Sequence, residues 1–315
     1  EAEPHVVAVS KDSGGSAGRF ALADYYVLMN RREDARTILR QAGPPADASG
    51  RIFLIFIDDL HMDFRNTGRI RDLLKKVSTT LVHEGDMFGI VSSGPSSIAV
   101  NMTYDRSRLD EAIKKVSGAG LTPQDIMDAP ETQTGPSELR HRAHVAFSTV
   151  NDILKNLESV VDRRKAIIYI SNGYDFDPFP EFRRTDERQL YEDTGGRGGS
   201  DYYDPFQGPV GQNVFSEADL NMEMVYLTRA ANRANATFYT IDPRGLVGGP
   251  DIDNQISPSE WQAHIRTTTD TLRVIAEQTG GFAIVNSNDF TKGLERIDNE
   301  TSDYYVLGYY STNPD

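Results

Sequence analysis

Two adjacent carboxylates, Asp58 and Asp59, close a run of six apolar residues, and His61 and Asp63 follow within the next four positions. Carboxylates clustered at the end of a strand can hold a divalent cation that activates water, with a neighbouring histidine as acid or base. In an offset register, Asp59, His61 and Asp63 form Asp-x-His-x-Asp. That mixed oxygen and nitrogen set suits Zn²⁺ or Mn²⁺ if the loop stays extended, and otherwise His61 caps the loop or packs on its neighbours. Ser92 and Ser93 invite a hydrolase reading, but neither stands in a Gly-x-Ser-x-Gly. His141 and His144 are three apart, a spacing that shares one helix face. No glutamate completes a His-Glu-x-x-His pattern, and Arg140 and Arg142 flank them as on a solvated face. The glycine-rich stretches at 13–18, 195–200 and 248–249 match neither phosphate-binding pattern, so nucleotide binding is not expected.

These residues need a core to position them, and 315 residues with 38% hydrophobic and 25% charged side chains can build one. The mean hydropathy of -0.48 is that of a globular chain. No apolar run reaches the roughly 18–20 residues of a spanning helix. A net charge of -14 would repel nucleic acid and anionic membrane, which leaves proteins or cations as partners. The absence of cysteine excludes disulfides, thiol nucleophiles and thiolate metal sites. The chain starts at Glu1 rather than at methionine, so any signal peptide is expected to lie outside it.

Residues 1–50 read as a separate N-terminal part. An arm at 1–19 carries Val6, Val7 and Val9 and a Gly/Ser stretch, and 20–42 resembles one helical hairpin of tetratricopeptide type, closed by Gly43, Pro44 and Pro45. One such unit cannot bury its face alone. From Arg51 the pattern becomes regular. Ile52–Ile57 is continuously apolar, as a buried parallel strand should be. Ile70, Leu73, Leu74, Val77 and Leu81 then recur at helical spacing. Strands are expected at 87–91, 98–102, 166–170, 237–241, 282–285 and 304–310. Helices are expected around 109–116, 137–162, 216–235, 268–279 and 289–299. This alternation predicts an α/β fold with a doubly wound, mostly parallel sheet covered by helices on both faces, over 51–315. Ligands of such sheets bind beyond the carboxyl ends of the strands, which brings Asp58, Asp59, Ser92, Ser93, Ser171, Asn172 and Asp242 together.

The segment 174–215 has neither period and reads as a long insertion, with the related phrases YDFDPF at 174–179 and YYDPF at 202–206. Loops this long in compact domains are usually functional or disordered. Tyr174, Asp175, Asp177, Phe179, Tyr202, Tyr203, Asp204 and Phe206 are candidate partner contacts, with Asp242 as their neighbour, since aromatic side chains give contact area at low entropy cost. The alternatives are a lid folded on its own domain, or calcium bound by Asp175, Asp177, Asp201 and Asp204.

IFLIFIDDLH at 52–61, RKAIIYISNG at 164–173, TFYTIDPRGL at 237–246, AEQTGG at 276–281 and DYYVLGYY at 303–310 together resemble the von Willebrand factor A (vWA) domain, and within it a divergent group of acidobacterial exported proteins. The resemblance implies a Rossmann-like sheet with a metal-ion-dependent adhesion site at its top, where a cation leaves one position open for a partner's carboxylate. It implies Asp58 as first ligand, with Asp59 beside it, Thr122 as the family's threonine, and Asn172 where the family has an aspartate. Leu60 and Met62 stand where the family has two hydroxyls. An Mg²⁺ ion prefers six oxygen ligands in octahedral geometry, so the site is expected to be degenerate. Its optional cofactor is one divalent cation, Mg²⁺, Mn²⁺ or Ca²⁺. An acidic loop hydrogen-bonded to backbone amides is the other reading of these residues.

The function expected from this is an exported, non-enzymatic protein-binding module for adhesion or assembly, periplasmic or at the cell surface of a bacterium, whose partner is one or more proteins, in the larger case a multi-subunit envelope assembly. A metal-dependent hydrolase using Asp58, Asp59 and Asp242 is one alternative. A structural subunit that docks through residues 1–42 is the other.

Overall fold

A computed structural model describes residues 50–127, 137–160, 163–182, 215–250 and 256–302, with single positions between Leu22 and Asp34. Of the expectations above, the arm at 1–19, most of the 20–42 hairpin, the bulk of the insertion and the last strand at 304–310 lie outside the described residues.

Six strands form one sheet: β1 (Ile52–Ile57), β2 (Met87–Ser92), β3 (Ala99–Thr103), β4 (Lys165–Ile170), β5 (Ala236–Ile241) and β6 (Ala283–Ile284), in the order β3-β2-β1-β4-β5-β6. Every neighbouring pair is parallel except β2 with β3. That exception follows from chain length. Only residues 93–98 join β2 to β3, enough for a hairpin and too few for the crossover that a parallel partner needs. The helices are α1 (Thr67–Thr80), α2 (Ser107–Lys115), α3 (Pro123–Met127), α4 (Ser137–Glu158), α5 (Glu217–Arg233), α6 (Pro258–Glu277) and α7 (Thr291–Ser302). Among the described residues none is long and apolar enough to cross a membrane.

Side chains alternate across a strand, and β1 divides accordingly between two cores. Phe53, Ile55 and Ile57 pack with Ile70, Leu73 and Val77 of α1, Leu109 and Ile113 of α2, and Leu294 and Ile297 of α7. Leu54 and Phe56 pack on the other face with Phe147, Val150 and Leu154 of α4, Leu220 and Leu227 of α5, and Leu272 and Ile275 of α6. With both faces covered, β1, β4 and β5 are buried along their whole lengths, which is why the sequence runs apolar through β1 and most of β4 instead of alternating. The fold is the doubly wound, mostly parallel, Rossmann-like sheet that the sequence implied.

Two elements differ from the expectation. The short α3 was not foreseen, and α6 begins at Pro258 instead of Thr268. The first turns of α6 are polar and carry no apolar period, but Ser257 accepts from the Glu260 amide at 3.2 Å and Pro258 occupies the first turn, the usual chemistry of a helix start. The cap also anchors the site, because the Glu260 carboxylate accepts from the amides of Glu181 and Phe182 in the segment after β4. Ser257→Ala is expected to cost about 1 kcal/mol, seen as a lower urea midpoint, with Ser257→Asp keeping most of the stability.

Candidate functional site

The chain leaves β1 for β2 on one side and reaches β4 on the other, so the connections diverge between β1 and β4, where ligands of open α/β sheets bind. The first residues past the strands continue the ladder: Asp58 N–H donates to Ile170 O, Ser93 N–H to Ile57 O, Ser171 N–H to Ile241 O and Asp242 N–H to Ile284 O. Asp58, Ser93, Ser171 and Asp242 therefore stand side by side across the top of the sheet, as the strand-end rule anticipated.

Asp58 is fully buried and its carboxylate receives four donors. His61 Nδ1 at 2.9 Å and Ser93 Oγ at 2.9 Å approach Oδ1, while Ser171 Oγ and Tyr174 OH, each at 2.7 Å, approach Oδ2. Burial by itself raises the Asp58 carboxyl. Attraction to His61 and the hydrogen bonds from His61, Tyr174 and Ser171 outweigh that and hold it below the ordinary carboxylate value, so Asp58 is ionised. The phenols of Tyr174 and Tyr169 are pushed well above their ordinary value, first by burial and then by the charge of Asp58. Both stay protonated, and Tyr174, which donates to Asp58, accepts from Tyr169. A carboxylate only accepts, so the Nδ1 of His61 carries the proton and its Nε2 points away from Asp58.

Asp59, also fully buried, accepts from the Ser96 amide at 2.8 Å and shares the Ser93 hydroxyl at 3.2 Å. Asp63 turns outward to Arg65 at 2.8 Å, so Asp59, His61 and Asp63 do not converge on one ion. Thr122 and Asp125 cap α3 reciprocally, the hydroxyl donating to the carboxylate at 2.7 Å and accepting from the Asp125 amide at 3.1 Å. Asn172 stands just past β4 with its Oδ1 buried and without a partner. Met62 is core and Leu60 lines a cavity. For a hard cation this is a poor set: both oxygens of Asp58 are already saturated by protein donors, Thr122 is committed to a cap, and the two remaining positions are apolar. The residues do not fit the ion that the resemblance implied. Among the described residues no three His, Asp or Glu side chains gather as metal ligands.

Asp242 is neutralised. Arg244 grips it at 3.0 and 2.8 Å and also donates to the Asn172 carbonyl at 2.7 Å and to Thr268 at 3.0 Å. Asp242 is wholly buried and so ties the β5 end to the β4 end instead of meeting a partner. Ser92 accepts from the Ile98 amide within the hairpin. His144 pairs with Glu223 across α4 and α5 at 2.7 Å, which commits it to packing.

Beyond the strand ends lies a cavity of about 310 Å³. His61, Asn172 and Tyr174 form its floor, and Trp261, His264 and Thr268 of α6 one wall. Of the candidate contacts in the insertion, Tyr174 and Asp175 reach this cavity. Asp175 is held there by His264 at 2.8 Å, and Asp177 donates its amide to Asp175 at 3.2 Å. Phe179 is buried and stacks on Trp261 with ring centroids 6.2 Å apart, so it supports the wall from behind. Tyr202, Tyr203, Asp204 and Phe206 lie outside the described residues. The sequence reading missed Arg244, Trp261 and His264. Two signals were present: the Asp-Pro-Arg-Gly turn at 242–245, and the i, i+3, i+7 spacing of Trp261, His264 and Thr268 once α6 is started at its Ser-Pro cap.

No protein-family model matches the chain, nor does any curated protein. Among solved structures it is similar to the N-terminal domain of TFIIH p34, at 13% identity and a TM-score of 0.34, covering 80% of this chain and 97% of that one. It is also similar to the SpRpn10 VWA domain, at 10% identity and a TM-score of 0.33, covering 81% of this chain and 99% of that one.

Proposed function

We propose that this chain is a non-enzymatic protein-binding module that seats a partner side chain in the strand-end cavity without a metal ion. The observation that carries this reading is a cavity at the β1/β4 switch point whose surrounding carboxylates are already spent on internal partners, with exposed apolar residues beside it. Asp58 is saturated by donors and Asp242 is paired with Arg244. Phe64 lies between the lining residues Asp63 and Arg65, Leu246 precedes the lining residue Val247, and these two large apolar side chains are 68% and 63% exposed. Apolar contacts around a pocket that takes an anchor are the usual anatomy of a protein interface. The exported, envelope-associated setting rests on the sequence resemblance alone.

One observation favours chemistry instead. Asp58 holds His61, a lining residue of the cavity, through Nδ1, the carboxylate–imidazole pairing of a general base that acts on water.

Peptide display on the whole chain, counter-screened on Val247→Trp, tests the two readings. The substitution fills the cavity mouth from a half-buried position and leaves the Asp58 network intact. Enriched peptides are expected to bind the parent chain and to lose about tenfold or more in affinity on Val247→Trp, and to be recovered intact by mass spectrometry. Equal binding to both proteins, or no enrichment, would sink the binding reading. Cleaved peptides, protected by His61→Gln, would replace it with the hydrolase.

A further inference from the structure

Among the described residues the sheet ends in two strands with a neighbour on one side only. β6 is two residues long, whereas β3 runs from Ala99 to Thr103 and pairs with β2 alone. The ladder shows which groups of β3 are left over. Ser92 N–H donates to Ile98 O and Ile98 N–H to the Ser92 hydroxyl, and Val100 stands opposite Ile90. Ile98 and Val100 therefore turn their backbone toward β2. Backbone direction alternates along a strand, so Ala99 between them aims its N–H and C=O away from the sheet. Among the described residues no bond reaches that side of Ala99, and the residue is exposed.

An edge of this kind accepts another strand, and proteins usually guard it with charge or proline. β3 has neither. Residues 87–104, the whole β2–β3 hairpin, hold no Asp, Glu, Lys or Arg in a chain of which 25% is charged. For β2 burial is reason enough, but Ala99 and Asn101 are exposed. The missing charge selects the occupant. A partner of opposite sign would be met by charges on the edge. Two identical edges instead set each residue on the axis against its own copy, where like charges repel. An uncharged edge is the one that two copies can share.

We propose that two copies of this chain pair through β3, antiparallel about a two-fold axis at Ala99, each Ala99 N–H donating to the other's C=O. The two sheets then become one. β3 is antiparallel to β2, and β2 is parallel to β1, so the β1 strands of the two copies point in opposite directions. The strand-end cavities, which no β3 residue lines, open at opposite ends of the pair. On the binding reading above, one dimer bridges two partners.

A short edge contact is expected to give a dissociation constant on the order of 10–100 µM. Sedimentation velocity of the whole chain from about 1 to about 500 µM covers that range and should show monomer passing to dimer. Ala99→Pro removes the outward donor of each copy and no bond to β2, at the kind of edge position where proline is tolerated. It is expected to weaken pairing about tenfold or more and to leave the thermal midpoint of the monomer nearly unchanged. Ala99→Lys keeps the N–H and sets like charges across the axis, so it should weaken pairing as well and carries the test if the proline variant folds poorly. Because both copies carry a net charge of -14, added NaCl should tighten the dimer by screening their repulsion. A chain still monomeric at about 500 µM, a dimer that survives Ala99→Lys, or a dimer that salt dissociates would overturn the proposal. Peptide binding that depends on Val247 is read on the same variants, so the binding module stands or falls separately from the dimer.

Discussion

Replacing Asp58 by Ala is expected to destabilise the folded chain by about 3–5 kcal/mol, the usual cost of breaking a buried charge network by removing one member. For a domain of this size that lowers the unfolding midpoint by on the order of 10 °C. The loss comes from what remains behind: His61, Ser171 and Tyr174 would lose their acceptor in a dry site, and Ser93 would keep only its longer contact to Asp59 at 3.2 Å. Asp58→Asn should cost less, about 1–3 kcal/mol, because the hydroxyls of Ser171 and Tyr174 can turn to accept from the new amide and Tyr169 can accept in turn. The two variants also differ in acid. The folded carboxyl is depressed, so its contribution is complete above the unfolded value of about 3.9 and is lost as pH falls through the folded value. Unfolding of the parent chain in that window takes up a proton that Asp58→Asn does not. Addition of Mg²⁺, Mn²⁺ or Ca²⁺ to the chelated parent chain is expected to leave its midpoint unchanged, whereas a bound cation at 100 times its dissociation constant would add about 2.7 kcal/mol. A rise with cation that Asp58→Ala abolishes would show that the carboxylate is open to metal, and a cost below about 1 kcal/mol for Asp58→Ala would show that the four contacts are not made.

What could be read from the sequence, and what could not, follows from the range of the interactions. The buried strands were legible because burial on both faces leaves a continuous apolar run, as in Ile52–Ile57 and Ala166–Ile170. The antiparallel β3 was implicit in the short 93–98 link. The start of α6 was hidden from a search for apolar period and visible to one for caps, at Ser257 and Pro258. At the site, strand ends located Asp58, Ser171, Asn172 and Asp242, and Leu60 and Met62 already argued against a complete cation shell. Whether Asp58 faces a cation or a set of hydroxyls depends on Tyr174 and Ser171, more than a hundred positions away. Composition and spacing say nothing about where a phenol will point. Tyr174 and Phe179 were read as contact surface because aromatic side chains give contact area at low entropy cost, yet both are buried against their own domain, as the alternative of a folded-back lid would have them. Asp242 was read as open although Arg244, two residues on, had the reach to close it.

Substituting Gly173 is expected to be at least as damaging as losing Asp58, for a geometric reason. Gly173 follows Asn172 with φ at +82°, and a Cβ there would lie 1.9 Å from the carbonyl oxygen of Thr268 and 2.7 Å from its carbonyl carbon. Both are backbone atoms of α6, so no rotamer change relieves the overlap, and α6 must move away from the β4 end. That helix carries Trp261 and His264, and its Thr268 takes the Arg244 hydrogen bond that braces Asp242. Gly173→Ala is therefore expected to cost about 4 kcal/mol or more, the range reserved for backbone strain combined with overpacking, and to abolish ligand binding in whatever fraction stays folded. Gly280 provides the control. Its φ is +80°, but a Cβ would meet nothing within 4 Å, so Gly280→Ala carries only the conformational penalty of about 1–2 kcal/mol. The difference between the two variants, measured by urea unfolding, isolates the contact between the β4 end and α6. Equal costs would mean that α6 does not press on Gly173, and the cavity wall that Trp261 and His264 provide would lose its support.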